Sequence, residues 1–141
     1  MRKVIAISAI CLVFIGCKKE NAIEAIPLGA FEYKAYDTTG TLVVDGWFKL
    51  SIHDSAHIDG EWHFTKVNDP RNIGPQSGDG QLEGGFDREM LWINLNPGYV
   101  DNNVFLSGRY TIEKYTGTWT WSGFPGVINQ GTFAATNRSS Y

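Results

Sequence analysis

Residues 115–121 have the sequence YTGTWTW, in which threonine alternates with a glycine or an aromatic residue. Successive side chains of a β-strand point to opposite faces of the sheet, so a two-residue period separates the two sets. One face carries the rings and the glycine: Tyr115, Gly117, Trp119 and Trp121. The threonines lie on the other face. The segment is therefore predicted to be a strand between a dry core and solvent.

The same period continues along the chain and predicts eight strands. They cover residues 30–36, 42–52, 57–67, 81–86, 90–95, 104–111, 115–121 and 130–135. No segment after Leu28 keeps the 3.6-residue apolar period of a helix over three turns. Most connections are short, so strands adjacent in sequence are expected to pair in an antiparallel meander. The two longer connections, residues 68–80 and 96–103, are expected to be surface loops.

A short motif, glycine followed two residues later by an aromatic residue, occurs six times in these strands. It covers residues 46–48, 60–62, 84–86, 108–110, 117–119 and 131–133. Glycine weakens a strand interior, so we expect each one to leave space for a ring of an adjacent strand and to permit the coiling that closes a sheet. The predicted fold is all-β, a single eight-stranded antiparallel up-and-down barrel over residues 30–136. A two-layer β-sandwich is the alternative.

The meander with Gly-x-aromatic strands, residues 115–121 above all, resembles the calycin group, which includes lipocalins, fatty-acid-binding proteins and avidins. The resemblance covers the strand pattern of residues 30–135 and implies a calycin-like barrel. The sequence contains neither a biotin-site pattern nor a lipocalin disulfide, so no binding residue is carried over from these families.

The N-terminus has the pattern of an export signal. Arg2 and Lys3 precede an apolar run over residues 4–15, which is too short for a helix to cross a hydrocarbon core of about 30 Å. Gly16-Cys17 and a polar segment follow. This resembles the lipobox of bacterial lipoproteins and implies a helical signal peptide over residues 1–16, with a lipid such as palmitate on Cys17. A plain secretory signal, in which Cys17 has no special role, is the alternative.

The resulting organisation is a signal peptide (residues 1–16), a lipidated N-terminus and tether (17–29), the barrel (30–136) and a tail (137–141). The resemblance implies a protein anchored in the cell envelope, and Lys18 directly after the cysteine favours the outer over the inner membrane. Cys11, the other cysteine, lies within the apolar run. The exported chain is therefore expected to have no disulfide and no Cys-bound metal.

Six aromatic side chains are predicted to point into the barrel. They are Phe48, Trp62, Phe64, Tyr110, Trp119 and Trp121. Such rings either line a pocket or fill a core, because an eight-stranded barrel has room for side chains or for one small ligand. The first functional hypothesis is a lipid-anchored barrel that binds a small, partly apolar ligand with these six side chains.

Two further hypotheses concern the outer surface. Alternation places Trp47 and Trp92 outside, which indicates an envelope protein-interaction or inhibitor module with a filled core. A hydrolase needs two facing carboxylates. The closely spaced pairs, Asp59 with Glu61 and Asp87 with Glu89, are on predicted solvent faces or turns, which makes this hypothesis the weakest.

No catalytic residue, metal site or cofactor is predicted. His53 and His57 flank a turn that contains Asp54, but no third ligand is fixed beside them in the sequence. The formal net charge of −3 argues against a nucleic-acid partner.

Overall fold

Eight antiparallel strands form one closed barrel in a computed structural model that describes residues 28–138. They are β1 (Gly29–Tyr36), β2 (Leu42–Ile52), β3 (His57–Lys66), β4 (Gly78–Asp87), β5 (Met90–Asn94), β6 (Asn102–Tyr110), β7 (Lys114–Gly123) and β8 (Gly126–Asn137). Each strand pairs with the next, and β1 also pairs with β8. The predicted all-β barrel is confirmed. The sandwich alternative is wrong, because the β1–β8 pairing closes a single sheet.

Several predicted segments lie outside the described residues. These are the signal peptide (residues 1–16), Cys17, most of the tether and residues 139–141. Within residues 28–138 there is no helix with the length and apolar character needed to span a bilayer.

The end of β7 and the start of β8 differ most from the prediction. β8 begins at Gly126, four residues before the predicted start at Gln130, and Gly123 pairs with Gly126 in a tight hairpin. The register shifts between Trp121 and Ser122. This irregularity interrupts the two-residue period on which the predicted strand end was based.

Aromatic rings stacked on one another form much of the core. The ring centroids of Tyr33 and Phe64 are 4.4 Å apart, and Phe31 stacks on Phe48 at 5.2 Å. The burial of alternate residues agrees with the predicted faces of β3, β6 and β7. The register therefore places the apolar set of each strand inside, as its alternation indicates.

The β3–β4 connection was expected to be a surface loop, but part of it closes one end of the barrel. Ile73 and Gln76 are buried. The Tyr33 hydroxyl donates to Gln76 Oε1 at 3.0 Å, and Gln76 Nε2 donates to the Ile73 carbonyl at 2.7 Å. This loop end also carries the β1–β2, β5–β6 and β7–β8 connections, whereas Leu28 and Arg138 lie at the opposite, turn end.

The glycines of the repeated motif mainly allow close approach of neighbouring strands. A Cβ atom built at Gly60 would lie 1.9 Å from the Lys49 carbonyl oxygen, and one at Gly108 would lie 2.0 Å from that of Thr116. A Cβ atom built at Gly131 would lie 2.6 Å from Nε1 of the Trp119 ring. The expectation of a ring beside every glycine is wrong at positions such as Gly108, where the nearest atoms are backbone. The expected coiling accounts for these positions.

Candidate functional site

The six inward aromatic side chains lie together inside the barrel. Phe48, Trp62, Phe64, Tyr110 and Trp119 are buried in the core, and Trp121 is half-buried against it. Trp62 Nε1 donates to the Leu95 carbonyl at 2.8 Å, and Trp119 Nε1 donates to that of Tyr36 at 2.9 Å. The Trp62 ring packs on that of Phe64 with centroids 4.9 Å apart, and Trp121 Nε1 donates to Asn102 Oδ1 at 2.9 Å. The use of the six rings as ligand contacts stays a prediction.

The interior contains two tyrosines that remain uncharged over the physiological range. Burial raises the pKa of Tyr33 well above its usual value, and the nearby Tyr115 raises it further. Burial also raises the pKa of Tyr115, whose hydroxyl donates to the Leu91 carbonyl at 3.0 Å. Both phenols therefore serve the core as neutral hydrogen-bond donors.

A groove of about 420 Å³ lies on the outer face of β3 to β6, and we call it the outer groove. Its lining residues are His53, His57, Ile58, Asp59, Glu83, Gly84, Trp92, Asn94 and Phe105. The pairing register places a row of polar residues beside two aromatic residues, Trp92 and Phe105. Asp59 lies opposite Glu83, Glu83 opposite Asn94, and Asn94 opposite Phe105 on four successive strands.

Trp92 forms the aromatic wall of the outer groove. Its side chain is 50% exposed, and its register partner on β4 is Gly85. A Cβ atom at Gly85 would lie 2.5 Å from Trp92 Cζ2, so the indole rests where that glycine has no side chain. Within the described residues, Trp92 Nε1 has no hydrogen-bond acceptor, unlike the bonded indoles of Trp62 and Trp119. Both the ring face and its N–H are available to a ligand.

Phe105 extends this aromatic wall from β6. Its side chain is 39% exposed, and it lies opposite Asn94, whereas Trp92 lies opposite Ser107. Trp92 and Phe105 are therefore diagonal cross-strand neighbours, which is within reach for aromatic side chains.

The other wall of the groove is acidic. The Asp59 and Glu83 carboxylates occupy directly opposed positions of β3 and β4. His53 Nδ1 lies 3.4 Å from Asp59 Oδ2. Glu83 has no hydrogen-bond or ion-pair partner among residues 28–138. Like charges at directly opposed positions are unfavourable, so a bound positive charge relieves their repulsion.

The β2–β3 turn, which the two groove histidines flank, is fixed by Asp54. Its carboxylate accepts backbone N–H bonds from Ala56 and His57, each at 3.0 Å, and contacts His57 Nδ1 at 2.8 Å. The Ala56 bond first, and then the His57 side chain, lower the pKa of Asp54. The Ala56 carbonyl in turn accepts the Phe86 N–H at 3.1 Å, which holds the turn against β4.

Trp47, the other outward tryptophan, lies apart from the outer groove. It is half-buried and stacks on His63 with ring centroids 6.2 Å apart, and His63 Nδ1 contacts the Asp79 carboxylate. The row of paired residues that contains Trp47 crosses β4 at Asp79, whereas the row that contains Trp92 crosses β4 at Gly85. Six residues of strand correspond to about 20 Å. The two tryptophans therefore belong to different surfaces.

The sequence indicated Trp92 but not the groove around it. Alternation placed Asp59 on a solvent face, yet only the pairing register brings it to the same depression as Phe105. Of the predicted carboxylate pairs, Asp59 lines the groove and Glu61 does not. Within residues 28–138 no three His, Cys, Asp or Glu side chains are grouped as a metal site requires.

No protein-family model matches the chain, and no curated protein matches its sequence. A solved structure described as "Structure of a redesigned beta barrel, mFAP1, bound to DFHBI" is similar with a TM-score of 0.49 and 15% sequence identity. The similarity covers 79% of this chain and 94% of that chain.

Proposed function

We propose that this protein is a binding protein whose ligand, a small and partly apolar molecule, lies in the outer groove. The observation that carries the proposal is the half-exposed Trp92 indole, which rests on Gly85 with its N–H unbonded among the described residues. Phe105 extends the apolar wall, and Asn94 and Glu83 supply polar contacts. A volume of about 420 Å³ falls in the range of small-molecule sites.

The outer groove is favoured over the barrel interior by the hydrogen bonds and packing of the core. A ligand among the inward rings must displace stacked pairs such as Tyr33 and Phe64. The ligand must also fit around the hydrogen bonds of Trp62 Nε1 and Trp119 Nε1 to backbone carbonyls, or it must break them. The groove needs no such rearrangement, because its ring faces are already exposed.

The test is a screen of small, partly apolar compounds by thermal shift, followed by calorimetry on two variants. Trp92→Ala removes the aromatic wall, whereas Trp47→Ala removes the outward tryptophan that does not line the groove. We expect a hit that binds wild type and Trp47→Ala, with binding at least about tenfold weaker to Trp92→Ala. A ligand insensitive to Trp92→Ala but lost in Trp62→Phe, which changes a buried inward ring, contradicts the groove and favours the interior. No hit at all contradicts the proposed function.

A second candidate function is an envelope protein-interaction or inhibitor module. The specific observation is the loop end, where Val100 is fully exposed and the Phe124 side chain is nearly so. Trp47 adds an outward ring on a separate face. If this function is correct, Val100→Ser with Phe124→Ser abolishes capture of an envelope protein and leaves the fold intact. Capture that persists in this variant and in Trp47→Ala contradicts it.

For localisation, we propose a lipid anchor on Cys17 that tethers the barrel to the envelope, in the outer membrane. The support is the apolar run of residues 4–15 that ends in Gly16-Cys17. Cys17→Ser should abolish labelling by radioactive palmitate and release the protein from the membrane fraction. Cys11→Ser is the matched control and should keep the label. Labelling that survives Cys17→Ser contradicts the anchor.

A further inference from the structure

We infer that the ligand of the outer groove is an organic cation, an amine or ammonium group attached to an apolar body. The inference rests on the proposed function and specifies its ligand. Its basis is the combination of two opposed carboxylates, Asp59 and Glu83, with the exposed face of Trp92 in one groove.

The charges that face the groove favour a positive ligand. No lysine or arginine lines it, and its carboxylates are those of Asp59 and Glu83. His53 lies 3.4 Å from Asp59, and His57 is held by Asp54. Glu83 has no counter-charge within the described residues. A neutral ligand leaves the repulsion between the two carboxylates, an anion increases it, and a cation between them removes it.

The aromatic wall suits the same ligand. A tryptophan face attracts an ammonium group within about 6 Å of the ring centroid, and the attraction grows as the group loses water. Gly85 has no side chain, so the Trp92 ring packs directly on its backbone. Phe105 provides apolar contact for the uncharged part of the ligand. Aromatic and carboxylate groups in one groove thus recognise the two ends of an amphipathic cation.

A series of three phenyl compounds of nearly equal size isolates the charge. They are 2-phenylethylammonium, 2-phenylethanol and phenylacetate, titrated by calorimetry at pH 8, where an ordinary histidine is neutral. We expect the cation to bind about tenfold or more tighter than the alcohol, and phenylacetate to bind weakest. Because exposed charges are screened by salt, the preference should shrink as the ionic strength rises.

Two single-atom variants assign that preference to the groove. Glu83→Gln should reduce the ratio of cation to alcohol affinity several-fold, because it removes one of the two carboxylates and keeps the size of the side chain. Glu61→Gln removes a carboxylate from the outer face of the neighbouring strand β3. Glu61 does not line the groove, so this variant should leave the affinity ratio unchanged. Equal effects of both variants contradict the inference, because a general surface potential then explains the preference.

The remaining outcomes separate this inference from the proposed function. If the three compounds bind equally well and Trp92→Ala weakens all of them, the groove binds ligands but does not select cations, and only the inference is overturned. If none of the three binds while the screen yields a neutral or anionic hit that needs Trp92, the inference is again overturned. If neither the series nor the screen yields binding, both fail.

Discussion

Tyr33 links the barrel interior to the β3–β4 connection by a buried hydrogen bond. Its hydroxyl donates to Gln76 Oε1, and both side chains are fully buried. Tyr33→Phe removes the donor and leaves a buried amide oxygen without that partner. We expect the free energy of unfolding, measured with urea, to fall by about 1–3 kcal/mol.

The control for Tyr33→Phe is Tyr99→Phe, since Tyr99 is exposed in the β5–β6 connection. This variant should unfold like wild type. Gln76→Met should lower the stability more than Tyr33→Phe does, because it removes both the acceptor of Tyr33 and the donor to the Ile73 carbonyl. Equal stabilities of Tyr33→Phe and Tyr99→Phe would show that the buried bond makes no net contribution.

Gly85 determines the position of the Trp92 indole. In Gly85→Ala the new Cβ meets Trp92 Cζ2, which is the outer part of a side chain on the exposed face. The ring therefore shifts, and the Ala56 carbonyl oxygen, 3.0 Å from the same Cβ, must also move slightly, at a cost to stability of about 0.5–1.5 kcal/mol. We expect the ¹⁹F resonance of 5-fluorotryptophan at Trp92 to move and groove ligands to bind more weakly. Gly98→Ala, where a Cβ meets nothing within 4 Å, is the control and should change neither.

Among the strands, alternation was sufficient to predict β3, β6 and β7 and the face that each buries. It was insufficient for the rows that run across the sheet. Those rows depend on pairing register, which the turns determine, for example the β4–β5 turn with Arg88 at φ 54°. The outer groove exists only through this register. Its ligand-facing residues therefore appeared in the sequence as unrelated polar and aromatic positions.

The β3–β4 connection illustrates a second limit of the sequence. Its prolines and glycines carry no period, so nothing distinguishes an inward side chain from an outward one. Ile73 is nevertheless only 3% exposed. Ile73→Ala should lower the free energy of unfolding by about 2–4 kcal/mol, because it leaves a cavity under the loop. Ile112→Ala, at a position 68% exposed, should have little effect. Similar losses in the two variants would contradict burial of the loop.

The β3–β4 strand pair contains a repulsion that one substitution removes. Glu83 opposes Asp59, whereas Glu61 opposes Lys49 on the other side of β3. Glu83→Gln should therefore raise the free energy of unfolding by a few tenths of a kcal/mol and up to about 1 kcal/mol, and Glu61→Gln should not. Urea unfolding at low salt measures both. A lower stability of Glu83→Gln would indicate that the carboxylate has a favourable partner instead.

Closure makes the barrel a single cooperative unit. Glu32 on β1 pairs with Thr136 on β8, and Trp119 Nε1 on β7 donates to the Tyr36 carbonyl. Asn137 Nδ2 joins the two chain ends of the barrel by donating to the Leu28 carbonyl at 3.3 Å. Because the β1–β8 pairing closes the sheet and the inward side chains of β1 are buried, these side chains reach solvent only when the barrel opens.

The two buried tyrosines couple this opening to alkaline pH. Burial raises the pKa of Tyr33 and Tyr115 in the folded state, and an unfolded tyrosine titrates near pH 10. The folded barrel thus favours the neutral phenols, so their contribution to stability is intact below about pH 10 and declines as the pH rises beyond it. With ¹³Cζ-labelled tyrosine, the resonances of Tyr33 and Tyr115 should keep their phenol shifts until circular dichroism reports unfolding. Ionisation of either one in a barrel that still shows its native spectrum would mean that water reaches the core without opening the β1–β8 seam.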